Sequence, residues 1–106
     1  MKVYHLNEMN SRQLIPGFHV KFIHSENLTL ADWFIEAGSA LPMHSHQQEQ
    51  LMQVVSGTFE FQLGDETKTL SAGMVVVIPS MTPHAGKALS DCRLVDVFYP
   101  VREEYR

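Results

Sequence analysis

Thr58-Phe59-Glu60-Phe61-Gln62-Leu63 alternates polar and apolar side chains at every step. Successive side chains of an extended chain point to opposite faces, so Phe59, Phe61 and Leu63 share one face while Thr58, Glu60 and Gln62 share the other. One face on a core and one in water is the ordinary state of an antiparallel strand. The same period of two recurs outward in both directions. Turn-forming residues cut it about every 8–12 residues, the pattern of an all-β sandwich or barrel. Strands are expected at Gly17–His24, Leu28–Ala37, Gln50–Val55, Thr58–Leu63, Thr67–Leu70, Met74–Ile78 and Cys92–Tyr99, with turns at Ser25-Glu26-Asn27, Ser56-Gly57 and Gly64-Asp65-Glu66. A short helical turn is expected only around Asn10–Leu14. Met74-Val75-Val76-Val77-Ile78 lacks alternation, which predicts a strand covered on both faces, inside a barrel or in a subunit interface.

Nothing divides the chain: no linker, no block of like charge and no repeat. Its 106 residues fit one domain, 1–106. Apolar residues at 44% against 19% charged argue for a buried core rather than disorder. A net charge of −4 weighs against nucleic acid, which asks for a basic patch. No apolar run approaches the roughly 20 residues of a membrane span. The start, Met1-Lys2-Val3-Tyr4-His5-Leu6-Asn7-Glu8, lacks the features of a signal peptide. With Cys92 as the only cysteine no internal disulfide forms, and the expected location is a reducing cytoplasm. On its apolar strand Cys92 reads as a small buried hydrophobe. The oddity is six histidines in so short a chain, which asks for a metal.

Side chains two apart on an extended segment share a face, so His44 and His46 of Met43-His44-Ser45-His46 can point at one ion. A later strand, Gly73-Met74-Val75-Val76-Val77-Ile78-Pro79, leads through Ser80-Met81-Thr82-Pro83 to His84. The spacings are Gly38-x5-His44-x-His46-x3-Gln50-x6-Gly57 and Gly73-x5-Pro79-x-Met81-x2-His84.

Over Gly38–His84 this pattern closely resembles the two motifs of the cupin family. The resemblance implies a small jelly-roll-like β-barrel. It further implies one divalent metal ion per subunit, held by His44, His46, Gln50 and His84. Imidazole does not choose among zinc, nickel, manganese and iron. The usual glutamate ligand is replaced here by Gln50, and Glu49, one position early, falls on the opposite face of the strand. Met81 stands where glycine is usual and Ala88 where asparagine is usual.

Gln50 and the tail Asp96-Val97-Phe98-Tyr99-Pro100-Val101-Arg102-Glu103-Glu104 narrow the resemblance to the KdgF-type pectin degradation proteins. These open the ring of 4,5-unsaturated uronates, left by pectin and alginate lyases, to 4-deoxy-5-keto uronates. Their functional Asp, Phe and Arg fall on Asp96, Phe98 and Arg102. A small anionic sugar is then the expected substrate, because three imidazoles and an amide leave the charge of the ion uncompensated.

On the strand Cys92–Tyr99, Asp96 and Phe98 share a face with Cys92 and Leu94. An aspartate among apolar neighbours is costly unless paired or bound. It is either a structural partner for an arginine such as Arg102 or a proton donor and acceptor with a raised pKa. Phe98 is equally a core residue or a platform for a flat ring. Two other functions fit the same histidines: a metal dioxygenase, and a sensor that binds a carboxylated sugar without turnover. A homodimer is expected, with Met74–Ile78 and the N-terminal strand as interface, since a barrel this small buries only about 60–70% of its chain surface.

Overall fold

The computed structural model describes all residues, 1–106, and is almost entirely β. Its strands are β1 Arg12–Ile15, β2 Phe18–His24, β3 Thr29–Ile35, β4 Ala40–His44, β5 Glu49–Ser56, β6 Phe59–Leu63, β7 Glu66–Leu70, β8 Val75–Ile78, β9 His84–Ala88 and β10 Cys92–Tyr99. Single 3-10 turns sit at Leu6–Glu8 and Glu103–Tyr105. The strands make two antiparallel sheets, ordered β1-β2-β3-β10-β5-β8 and β4-β9-β6-β7. No helix is long and apolar enough to cross a membrane.

The all-β expectation holds, and alternation explains it. Phe59 and Phe61 of the small sheet are buried against Phe18, Ile35, Met52, Val54, Ile78 and Leu94 of the large one. Cys92 belongs to this core at 1% exposure, its Sγ 3.1 Å from the Thr58 carbonyl. A smaller cluster of Val20, Ala31 and Phe98 lies beside Leu14, Phe22 and Trp33.

Three expectations need correction. The helical turn expected at Asn10–Leu14 is instead occupied by β1, which folds back on β2 through Pro16-Gly17, while the 3-10 turn falls earlier. Gly17 takes a φ of +82° there, and the side-chain oxygen of Gln13 accepts its N–H. Secondly, β4 and β9 were not expected. β4 carries Pro42, which is tolerated because β4 pairs with β9 alone, at the edge of the small sheet. β9, His84-Ala85-Gly86-Lys87-Ala88, lacks β-branched residues, but a Cβ on Gly86 would lie 2.4 Å from the Phe59 ring. The glycine is what lets that ring lie across the strand.

Thirdly, Met74–Ile78 is not covered on both faces within the chain. Ile78 is buried, whereas Val75 and Val77 are 56% and 57% exposed. The strand lies at the edge of the large sheet, and its outer side continues a row through Val77, Leu51, Val97, Leu30 and Ile23.

Candidate metal centre and cavity

Two short loops bring the histidines together. His44 ends β4 and lies opposite His84, the first residue of β9. His46 follows in the connection to β5. The Met81 N–H donates to the His46 carbonyl at 2.8 Å, and the Ser80 hydroxyl donates to the Gln47 carbonyl, so the two loops are stapled to each other. The staple holds Met81 at a φ of +62°, the only non-glycine residue in the left-handed region. Ring centres are 4.2 Å apart for His44 and His84, 4.9 Å for His46 and His84, and 5.8 Å for His44 and His46. One ligating atom from each ring lies within 4.8 Å of the others.

The hydrogen bonds fix how those rings can bind. Nδ1 of His44 lies 3.0 Å from the Pro42 carbonyl, Nδ1 of His46 lies 3.0 Å from the Gln48 carbonyl, and Nδ1 of His84 lies 2.8 Å from the Thr82 carbonyl. A carbonyl only accepts, so each Nδ1 carries the hydrogen and each Nε2 is left as a lone pair. Nε2 of His46 is also 3.0 Å from Oε1 of Gln50. Two lone-pair atoms at that distance repel unless a cation lies between them and their neighbours. The donor set therefore fits a divalent ion. Burial, joined by the charge of Arg102, lowers the pKa of His46, and burial lowers that of His84 to about 4. Both rings are thus neutral at pH 7, the form that ligates. Gln50 is 6% exposed, whereas Glu49 is exposed on the far side of β5.

A cavity of about 350 Å³ opens beside the histidines, lined mainly by apolar side chains and by Gln50, Asp96, Phe98, Arg102 and Tyr105. Asp96 sits on the inner face of β10 at 5% exposure. Its Oδ2 accepts the indole N–H of Trp33 at 2.9 Å, and its Oδ1 is buried without a partner. Burial pushes its pKa up to about 7, against the pull of the Gln50 amide, the Trp33 indole and the Arg102 charge. No salt bridge joins it to Arg102. That arginine pairs through Nε with Glu104. Phe98 meets the His46 ring edge to face at 5.6 Å and lies 4.8 Å below the Arg102 guanidinium carbon. It is buried at 4% and also lines the cavity.

Sequence reasoning missed Trp33 and Tyr105. Trp33 alternates like any core aromatic, and its polar contact depends on the β3–β10 register. Tyr105 lies in a turn without periodicity.

Known proteins share this architecture. KdgF from Halomonas sp. superposes with a TM-score of 0.94 at 29% identity, over 99% of this chain and 100% of that one. An RmlC-like cupin from Shewanella frigidimarina NCIMB 400 gives a TM-score of 0.92 at 21% identity, over 97% of this chain and 94% of that one. An uncharacterised protein of Streptomyces coelicolor is 29% identical over 102 residues, 94% of this chain and 97% of its own. The cupin-domain family matches residues 31–98, well over half the chain and the whole stretch from Ala31 on β3 to Phe98 on β10. By that match and by its two-sheet fold, this chain belongs to the cupin family.

Proposed function

We propose that the protein opens the ring of 4,5-unsaturated uronate monosaccharides, giving 4-deoxy-5-keto uronates. The observation that carries the reading is Asp96, a buried carboxyl with one oxygen unpartnered and a pKa of about 7, lining the cavity that the three histidines border. A group that holds and releases a proton near neutral pH is what this isomerisation needs. The similarity to KdgF, spanning nearly all of both chains, supports it.

His44, His46, Gln50 and His84 would hold one divalent ion, which would supply Lewis acidity to the reaction. The remaining work belongs to the chain. The C1 hydroxyl gives up its proton as the bond from C1 to the ring oxygen breaks. The electron pair stays on that oxygen, leaving an aldehyde at C1 and an enol at C5. Protonation at C4 turns the enol into a ketone, with no atoms gained or lost overall. Asp96 moves the proton. Phe98 offers its face to the flat unsaturated ring. Arg102, its Nε taken by Glu104, has both Nη atoms free of protein partners and receives the carboxylate end-on through two parallel bonds.

The test is the loss of conjugated absorbance when metal-loaded protein meets an unsaturated uronate, measured above the uncatalysed rate. Acceleration in the wild type that falls at least about 100-fold in Asp96→Asn supports the assignment. A wild type running at background on every unsaturated uronate removes it. Sugar bound and returned unchanged would then indicate a sensor, and oxygen-dependent turnover an oxygenase.

A further inference from the structure

We propose that residues 102–105 form a latch in which Glu104 and Tyr105 hold the Arg102 guanidinium in place as the anion receptor of the cavity. Tyr105 is then a positioning residue that sets carboxylate affinity. This rests on the reading of Arg102 given above.

An arginine side chain is flexible, and a free one loses rotamer entropy when a ligand fixes it. Arg102 is fixed beforehand. Its guanidinium carbon lies 4.8 Å from the centre of the Phe98 ring and 4.9 Å from that of Tyr105, and Glu104 takes its Nε. Only 13% of the side chain is exposed. The two rings and Glu104 hold the group while neither Nη1 nor Nη2 has a protein hydrogen-bond partner, which leaves both for a ligand.

Tyr105 is itself anchored from β2 and β3. Its ring stacks on Phe22 at 4.6 Å with 12° between planes. Its carbonyl accepts from Nε2 of His24 at 3.0 Å. With that hydrogen on Nε2, Nδ1 of His24 must accept, and the Thr29 hydroxyl donates to it at 2.8 Å. The oxygen of Thr29, fully buried, in turn accepts the Arg102 N–H at 2.9 Å. Both ends of the segment are thus tied to one relay, His24–Thr29. This relay gives a fourth histidine a purpose that the metal does not need.

Calorimetry of the metal-loaded full chain with D-galacturonate and with its methyl ester tests the latch. Tyr105→Leu is expected to weaken galacturonate about tenfold, the value of a lost cation–π contact, and to leave the ester unchanged. Tyr105→Phe keeps the ring and is expected to restore wild-type affinity. Adding Tyr105→Leu to Arg102→Ala should cost nothing further, because the two residues act as one. Equal weakening of acid and ester, or no weakening of either, overturns the proposal. If Tyr105→Leu does not fold, Glu104→Gln decides it: loss for the acid alone supports the latch, and no loss overturns it. Should Arg102→Ala bind galacturonate like the wild type, or the wild type fail to prefer acid over ester, the reading of Arg102 fails and takes the latch with it. Should Arg102→Ala weaken the acid while Tyr105→Leu does not, the latch alone fails.

Discussion

Trp33 on β3 donates its indole N–H to Asp96 on β10 at 2.9 Å, satisfying one carboxyl oxygen while the other stays bare in the cavity wall. The bond favours the ionised carboxylate and so restrains the upward push of burial. Trp33→Phe should therefore raise the Asp96 pKa above its present value of about 7. In a pH–rate profile the corresponding limb moves to higher pH, whereas a merely structural tryptophan would lower the rate without moving the limb.

The same carboxyl makes stability depend on pH in metal-free protein. Its pKa is 3.8 when unfolded and about 7 when folded, so the folded state binds the extra proton between those values. Stability from this group is full below about pH 4 and is lost as pH rises through 7. Asp96→Asn removes the dependence. In urea titrations it should stabilise the apoprotein at pH 8 by a few kcal/mol and change little at pH 4.

His84 acts with the opposite sign. Its pKa falls from 6.5 unfolded to about 4 folded, so its contribution is present above 6.5 and is lost as pH falls through 4. The Asp96→Asn apoprotein removes the opposing trend, leaving His84 together with the likewise lowered His46, and should gain stability from pH 4 to pH 6.5 in the same titrations.

Metal content follows from the donor set. His46→Ala and His84→Ala, purified without an affinity tag, should lose most of their metal by elemental analysis. Gln50→Glu should keep it, yet bind anionic sugars several-fold more weakly because the ligand charge partly cancels that of the ion. Tighter sugar binding would contradict the charge argument.

Met81 holds its left-handed backbone only because its N–H is tied to His46. A non-glycine residue there is strained by about 1–2 kcal/mol, part of which glycine returns through its larger unfolded-state entropy. Met81 as a whole is 60% exposed, so little packing is lost. Met81→Gly should raise stability by about 0.5–1 kcal/mol, and Met81→Val should lower it.

We also propose that a second copy covers the outer row at Val77, Leu51 and Val97, the exposed side of β8 and its neighbours. Sedimentation at micromolar concentration should give a dimer, and Val77→Lys should give a monomer. A monomeric wild type ends this reading.

Period-two patterning made the core strands legible because burial on one face forces it, as at Phe59 and Phe61, and it placed Asp96 and Phe98 correctly on the inner face of β10. It failed where pairing partners supply what the local residues lack. Pro42 in β4 and Gly86 in β9 contradict strand propensity and are tolerated by an edge position and by the Phe59 ring. The histidine spacing was readable because loops of fixed length set it. The Trp33–Asp96 bond and the Phe22–Tyr105 stack were not, since both depend on register across distant segments.

The place of β10 between β3 and β5 shapes how the chain reaches this state. Every other join in the large sheet is made by strands synthesised before it. Until β10 arrives, β3 and β5 each present a bare row of amides and carbonyls, open to strands of other chains. Closing that gap requires contacts spanning tens of residues, which slows folding. Nascent chains should therefore aggregate most readily just before β10 inserts, and crowded translation of this sequence would call for chaperones that shelter unpaired strands.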